Sequence, residues 1–240
     1  MYLHFAIKRI HIIFFLVSFI ILTNAKNVFE EKIYILPKIN NEIKKVAITF
    51  DDGPHPYYTE KIVEIITKHN VKTTFFLVGK QVEKYPEIVK LISKNKNCKI
   101  GNHTYSHKNL TKLSLKEVYD EINKTQNLLY SIVDEKDKII SYFRPPGGNY
   151  DRKVLEILEK MKLNIALWSV FTNDHCEDIK KEDLIDTINT FCNNQQEIIL
   201  LHSGVQTTLE ALEEIIQILK NKGYSFVFID EILDEKNFSN

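Results

Sequence analysis

The chain has 240 residues in which 32 Lys and Arg balance 32 Asp and Glu, so it carries no field to gather nucleic acid or coat an anionic membrane. That length suits one sizeable core, a single domain of the barrel or doubly wound kind. Cys98, Cys176 and Cys192 are too few and too scattered for a disulfide framework or a CxxC metal site, and read as small buried apolar residues with at most one bridge among them.

In chain order, Lys8 and Arg9 precede a mostly apolar run over 10–22, followed by Thr23-Asn24-Ala25, a small-residue pattern suited to cleavage. The run is shorter than the ~20 residues that span a bilayer comfortably. Residues 1–25 therefore read as a signal peptide or, uncleaved, a membrane anchor, and either places the remainder of the chain outside the cytoplasm. A linker of mixed polarity covers 26–43, one domain is expected over 44–235, and 236–240 read as a short tail.

Short apolar runs at 45–50, 73–77, 98–101, 139–143, 164–168, 197–201 and 225–229 make seven candidate strands. Between them the spacing turns helical, most clearly at Leu115, Val118, Tyr119, Ile122 and Leu129, and at Leu209, Leu212, Ile215, Ile216 and Leu219. Helices alternating with strands imply an α/β fold with a mostly parallel sheet. Asp51, His103, Arg144 and His202 each fall at or just after the end of a different strand. In a barrel those ends share one face, where catalytic groups collect.

Thr49-Phe50-Asp51-Asp52-Gly53-Pro54 sets two carboxylates where an apolar strand stops. Neighbouring side chains on a strand point to opposite sides, so one carboxylate can hold a cation while the other faces a substrate. His103-Thr104-Tyr105-Ser106-His107 offers two imidazoles four positions apart. Asp52, His103 and His107 meet the three-ligand requirement of a catalytic zinc-type ion that keeps one position open. Arg144-Pro145-Pro146-Gly147-Gly148 places an arginine before a stiff turn, where it can pair with a carboxylate and keep it ionised. His202 ends another buried-type strand and can donate a proton.

Together these residues resemble the polysaccharide deacetylases with a NodB homology domain, carbohydrate esterase family four, over nearly the whole chain from Val46 to Ile229. Thr49 to Pro54 looks like the first family motif, His103 to His107 the second, Arg144 to Gly148 the third, and Leu200-Leu201-His202 the fifth. Thr73 to Gly79 is typical of the family's second strand. The resemblance implies a distorted (β/α)7 TIM-like barrel and removal of N-acetyl groups from N-acetylglucosamine-type residues of a polysaccharide, peptidoglycan or chitin-like. It implies Asp51 as general base, Asp52, His103 and His107 as ligands of zinc or a similar divalent ion, and His202 as general acid. Arg144 would support Asp51, and the Gly147 amide would face the oxyanion.

The fourth motif departs from the pattern. Phe171 stands where the resemblance places the aspartate that orients the acid histidine, His175 stands for an aromatic residue, and Asp174 alone is retained. His202 is accordingly expected to lack its orienting carboxylate, with slower turnover as the result. Two other functions fit the same residues: a small-molecule amide hydrolase on the same scaffold, and a sugar-binding homologue with impaired catalysis. Tyr57, Tyr58, Tyr105 and Tyr150, near the motifs, could stack on sugar rings. Nothing in the sequence implies a protein partner.

Overall fold

The computed structural model describes residues 43–237, so the N-terminal apolar segment and most of the linker lie outside the described residues. The first strand, β1 (Lys44–Asp51), is buried from Val46 onward. It is the hub of a parallel sheet that also contains β2 (Thr73–Leu77), β3 (Cys98–Asn102), β4 (Ile139–Phe143), β5 (Asn164–Ile165), β6 (Val170–Phe171), β7 (Gln196–His202) and β8 (Tyr224–Phe226). The strand order is β5-β4-β3-β2-β1-β7-β6, with β8 paired to the first residues of β1. This is a distorted (β/α)7 barrel with its two shortest strands at the ends of the sheet. Phe50 and Phe75 stack across neighbouring strands at 5.4 Å, both fully buried. Truncating either to alanine is the kind of core change that costs about 3–5 kcal/mol.

Helices α1 (Tyr58–His69), α2 (Gly79–Lys84), α3 (Pro86–Lys94), α4 (Leu115–Ile132), α5 (Arg152–Met161), α6 (Lys181–Phe191), α7 (Gln206–Asn221) and α8 (Ile229–Asn237) follow the strands. The stripe of α7 packs as its spacing predicts, with Leu212, Ile215, Ile216 and Leu219 buried. That of α4 is rotated. Val118, Ile122 and Leu129 are buried, yet Leu115 and Tyr119 are exposed, while Glu121, Thr125 and Gln126 face inward. The helix starts at a capping box, Ser114 with Glu117, which sets its first turn.

Two predicted strands are shorter than their apolar runs. The one expected over 164–168 breaks after Ile165, because the Ala166 and Leu167 carbonyls accept from the Arg144 guanidinium at 3.1 and 3.2 Å instead of extending the ladder. The chain re-enters the sheet as β6 on the far side of β7, an eighth strand that hydrophobic pattern did not reveal. The run expected over 225–229 gives β8 only to Phe226. Beyond it the Phe228 N–H donates to the Glu231 carboxylate at 3.0 Å, and Ile229 opens α8. That helix continues to Asn237, past the predicted start of the tail. Cys98 and Cys192 are buried as expected, with burial pushing both thiols up to about 12, but Cys176 is exposed and all three are free.

Candidate active site

Asp51 is the last residue of β1, only 3 % exposed, and lies opposite His202 in the β1–β7 ladder. Paired residues of adjacent strands project from the same face of the sheet, so these two groups, 151 positions apart in sequence, are side by side. Asp52 leaves the strand with φ 68°. Its Oδ1 sits 3.5 Å from His103 Nε2 and 3.3 Å from His107 Nε2.

His103 follows β3 and is buried. Its Nδ1 contacts the Arg144 carbonyl oxygen at 2.7 Å; a carbonyl can only accept, so Nδ1 carries the proton and Nε2 remains for a ligand. That Nε2 is 3.5 Å from Asp51 Oδ2 as well as from Asp52. His107 is reached through Thr104, whose hydroxyl accepts the His107 N–H at 3.0 Å. Thr104 and His107 have φ of 65° and 56°. Of the six non-glycine residues with positive φ among the described residues, Asn70 and Lys162 end helices, and the other four, Asp52, Thr104, His107 and Asn173, lie in the motif segments. Backbone held in this costly region concentrates where side-chain placement matters.

What holds the histidine loop in that shape is α4. The Glu121 carboxylate accepts from the Tyr105 N–H at 3.1 Å, the Ser106 N–H at 2.7 Å and the Ser106 hydroxyl. Asn102 donates to Gln126 and to the Ile122 carbonyl, and accepts from the Thr104 N–H at 3.0 Å. Sequence reasoning missed Glu121, Gln126 and Asn102. The one available signal, for Glu121 and Gln126, was that polar residues occupied the helix face between Val118, Ile122 and Leu129.

Charge arrangement follows from this packing. Burial by itself would raise the Asp52 pKa, but His103, His107 and His202 outweigh it and bring the group down to about 2. Burial works against a charged His103, yet Asp51, Asp52 and the Arg144 carbonyl reverse the sign and raise its pKa. For His107 burial prevails over Asp52, and its pKa is lowered. The three ligand atoms of Asp52, His103 and His107 lie within 4.8 Å of one another. Bonds of 2.0–2.1 Å to one tetrahedral ion imply donor separations of roughly 3.3–3.4 Å. The two separations from Asp52, 3.3 and 3.5 Å, therefore match a single ion, and the residues fit a divalent metal.

Arg144 is fully buried and spends every donor it shows on the site's frame. Its Nη1 reaches Asp51 Oδ1 at 2.8 Å and the Thr49 hydroxyl at 2.7 Å, and its guanidinium lies 4.1 Å from the centre of the Phe76 ring. Asp51 is thus held on Oδ1, while Oδ2 faces the His103 side. Gly147 and Gly148 turn the chain with φ of 60° and 69°, a region that favours glycine. Tyr57 is exposed and packs edge-on to Tyr58 at 5.2 Å, whereas Tyr105 is occupied, its hydroxyl on Glu83 and its ring under Lys124.

The expectation that His202 lacks a carboxylate partner is not met. Asp174 accepts from His202 Nδ1 at 2.6 Å through one oxygen, and from the His202 backbone N–H at 2.7 Å through the other, which Thr208 also reaches. The reason lies in register. Phe171 is level with Leu200 in the β6–β7 pairing, and its ring is 41 % exposed against Trp168 and His175, at 5.7 and 5.9 Å. The chain then runs three residues further, turning at Asn173 with φ 55°, before a carboxylate can come back to His202. Thr172 fastens that segment by donating to the Leu200 carbonyl at 2.9 Å. Burial disfavours a charged His202, but Asp174, with help from Asp51 and Asp52, raises its pKa.

Comparison with known proteins converges on one family. The profile described as Polysaccharide deacetylase matches residues 38–166. The peptidoglycan-N-acetylmuramic acid deacetylase PdaC of Bacillus subtilis is 33 % identical over 89 % of this chain and 45 % of its own, so the chain spans about half the length of that relative. A solved structure of the Bc1960 peptidoglycan N-acetylglucosamine deacetylase is similar with TM-score 0.74 and 35 % identity, covering 82 % of this chain and 89 % of that one. BA3943 of Bacillus anthracis, described as a CE4 family pseudoenzyme, is similar at TM-score 0.74 and 31 % identity, over 81 % of this chain and 66 % of that one.

Proposed function

The chain belongs to the polysaccharide deacetylase family, and from that premise we propose that it hydrolyses the N-acetyl groups of amino sugars in a cell-wall polysaccharide of the peptidoglycan type, releasing acetate. The observation that carries this reading is the convergence of Asp52, His103 and His107 at 3.3–3.5 Å with Asp51 and His202 paired beside them. We take zinc as the ion and an extracytoplasmic location as part of the proposal, the latter supported by the apolar segment over 10–22.

A divalent ion held by Asp52, His103 and His107 supplies Lewis-acid activation of water and of the acetamide carbonyl. The rest is done by the chain. Arg144 fixes Asp51 through Oδ1, leaving Oδ2 to take the proton of the attacking water. His103 is kept in one tautomer by the Arg144 carbonyl, so the residue that orients the base also orients a ligand. The Gly147 N–H is assigned to the developing oxyanion, where a well-placed donor is worth roughly 3–4 kcal/mol. His202 gives the proton of Nε2 to the departing amine, while Nδ1–H stays on Asp174 and the imidazolium is stabilised by that carboxylate.

The reading of a sugar-binding protein with impaired catalysis rested on Phe171 and His175, and the 2.6 Å contact between Asp174 and His202 removes its first ground. The test is acetate release from N-acetylglucosamine oligomers and from peptidoglycan by the purified protein, before and after thorough chelation. Release that stops on chelation and returns with zinc supports the proposal. Oligosaccharide binding without release under zinc, cobalt, nickel or manganese would instead favour the impaired homologue.

A further inference from the structure

β2 lies between β1 and β3 in the sheet, so the turn at its end falls between the Asp52 segment and the histidine loop. The strand stops at Leu77, whose carbonyl accepts the His103 N–H at 3.0 Å, and the next residues turn into α2. The first amides of a helix have no carbonyl one turn earlier to bond with, so they need partners outside it. Here those partners are the two ligand segments. The Val78 N–H donates to the Gly53 carbonyl, next to Asp52, the Gly79 N–H to the Thr104 carbonyl and the Lys80 N–H to the Tyr105 carbonyl, each at 2.9 Å.

Glu121 of α4 meets the same loop through its amides, accepting from the Tyr105 and Ser106 N–H groups. The backbone between His103 and His107 is thus held on two sides, its carbonyls by the turn after β2 and its N–H groups by α4. Residue 79 has no room for a side chain in this arrangement. A Cβ there would overlap Thr125 Oγ1 of α4 and stand 2.7 Å from Tyr105 Cδ2 and 3.0 Å from Tyr105 Cα. Gly79 is not one of the glycines with positive φ, so close approach rather than conformation is what calls for glycine. Tyr105 Cα is backbone and cannot swing aside, so an added methyl displaces the loop itself. Metal ligands keep their distances to within about 0.2 Å, and Asp52 Oδ1 already stands at 3.5 and 3.3 Å from the two imidazoles.

We infer that Gly79 is a positioning residue for the metal centre, and that the Val78-Gly79-Lys80 turn sets the Asp52 segment and the histidine loop at ligating separation before an ion arrives. The inference rests on the reading of Asp52, His103 and His107 as metal ligands and deepens it by naming what spaces them.

The test titrates the full chain with zinc against a chromophoric chelator. Gly79→Ala is expected to bind about 10–100-fold more weakly than the parent, as loss of an outer support does. Ile216→Val trims the buried core on α7 and should stay within about threefold of the parent, because it shares no partner with the turn. A second measurement needs no variant and decides the matter should Gly79→Ala fail to fold by circular dichroism. In the parent, amide hydrogen exchange at Gly79 and Lys80 should be slowed in chelated protein to within about tenfold of its rate with zinc bound, since these bonds are made without the ion. A folded Gly79→Ala protein with the parent's zinc affinity, an equal loss in Ile216→Val, or amides protected only when zinc is bound would each overturn the inference. A parent that takes up no zinc, cobalt or manganese would instead refute the metal reading beneath it, an outcome told apart from the others by the parent's own titration.

Discussion

Replacing Asp174 by Asn preserves the volume of the side chain while removing its charge and two-sided accepting capacity. The carboxylate receives three donors, His202 Nδ1–H, the His202 backbone N–H and the Thr208 hydroxyl. An amide offers one acceptor oxygen, so keeping the His202 backbone N–H and the Thr208 hydroxyl turns its N–H toward Nδ1, which either leaves a buried donor unsatisfied at about 1–3 kcal/mol or drives the imidazole into the tautomer with its proton on Nε2. The larger loss is electrostatic. With the side chains 13 % and 0 % exposed and N–O at 2.6 Å, an imidazolium and a carboxylate centred ~4 Å apart attract by about 4 kcal/mol at an effective dielectric constant of 20. At 1.36 kcal/mol per decade of rate, complete loss of that preference corresponds to ~10³, and partial compensation by Asp51 and Asp52 brings the expected fall in kcat to between ~10² and ~10³. The assay is acetate release from an N-acetylglucosamine oligomer as a function of pH, at saturating zinc. The alkaline limb should move to lower pH, because the charge that raises the His202 pKa is gone, while zinc affinity measured by calorimetry stays within about threefold. A folded Asp174→Asn protein with kcat within about threefold of the parent and the same pH profile would refute the assignment of His202 as acid oriented by Asp174. Phe171→Asp is the matched control: its ring lies against Trp168 and His175, so restoring an aspartate there should change kcat by less than about threefold.

Glu121→Gln weakens the anchor on Tyr105 and Ser106 without touching a ligand, and should reduce zinc affinity by about 10–100-fold, as loss of an outer partner does; competition with a chromophoric chelator reads this, and unchanged affinity would contradict the role given to α4. Arg144→Met leaves Asp51 buried without its cation and should cost about 3–5 kcal/mol in urea unfolding, together with loss of activity. The metal-free protein should melt at its highest temperature between pH ~4 and ~6.5. His103 and His202 have pKa values raised above 6.5, so their contribution is complete below 6.5 and is lost as pH climbs through the raised values. Asp52, lowered to about 2, and Asp174, lowered from 3.8, contribute above 3.8 and lose that contribution as pH falls through their folded values. His107 works in the opposite sense below 6.5, but its side chain is 45 % exposed and its effect is screened. Thermal melts of chelated protein across this range test the window, and a stability that keeps rising from pH 6.5 to 9 would contradict it.

The amino-acid sequence alone identified the donors that chemistry demands at the ends of strands. Asp51 and Asp52 after an apolar run, and His103 and His107 after another, are legible because strand ends follow from local hydrophobic pattern and because few residue types can ligate a cation or carry a proton. The same locality explains what stayed hidden. Which carboxylate serves His202 depends on how β6 registers against β7, Phe171 beside Leu200, and that is a contact between segments nearly thirty residues apart. No pattern within either segment contains it. Glu121 and Gln126 looked like ordinary exposed positions until α4 packed against the histidine loop, and the break after Ile165 appeared only because a buried arginine took the carbonyls that a longer strand would have used. Local sequence determines which groups are available; tertiary register decides which of them meet, because hydrogen bonds act over about 3 Å and only the folded chain brings distant residues that close.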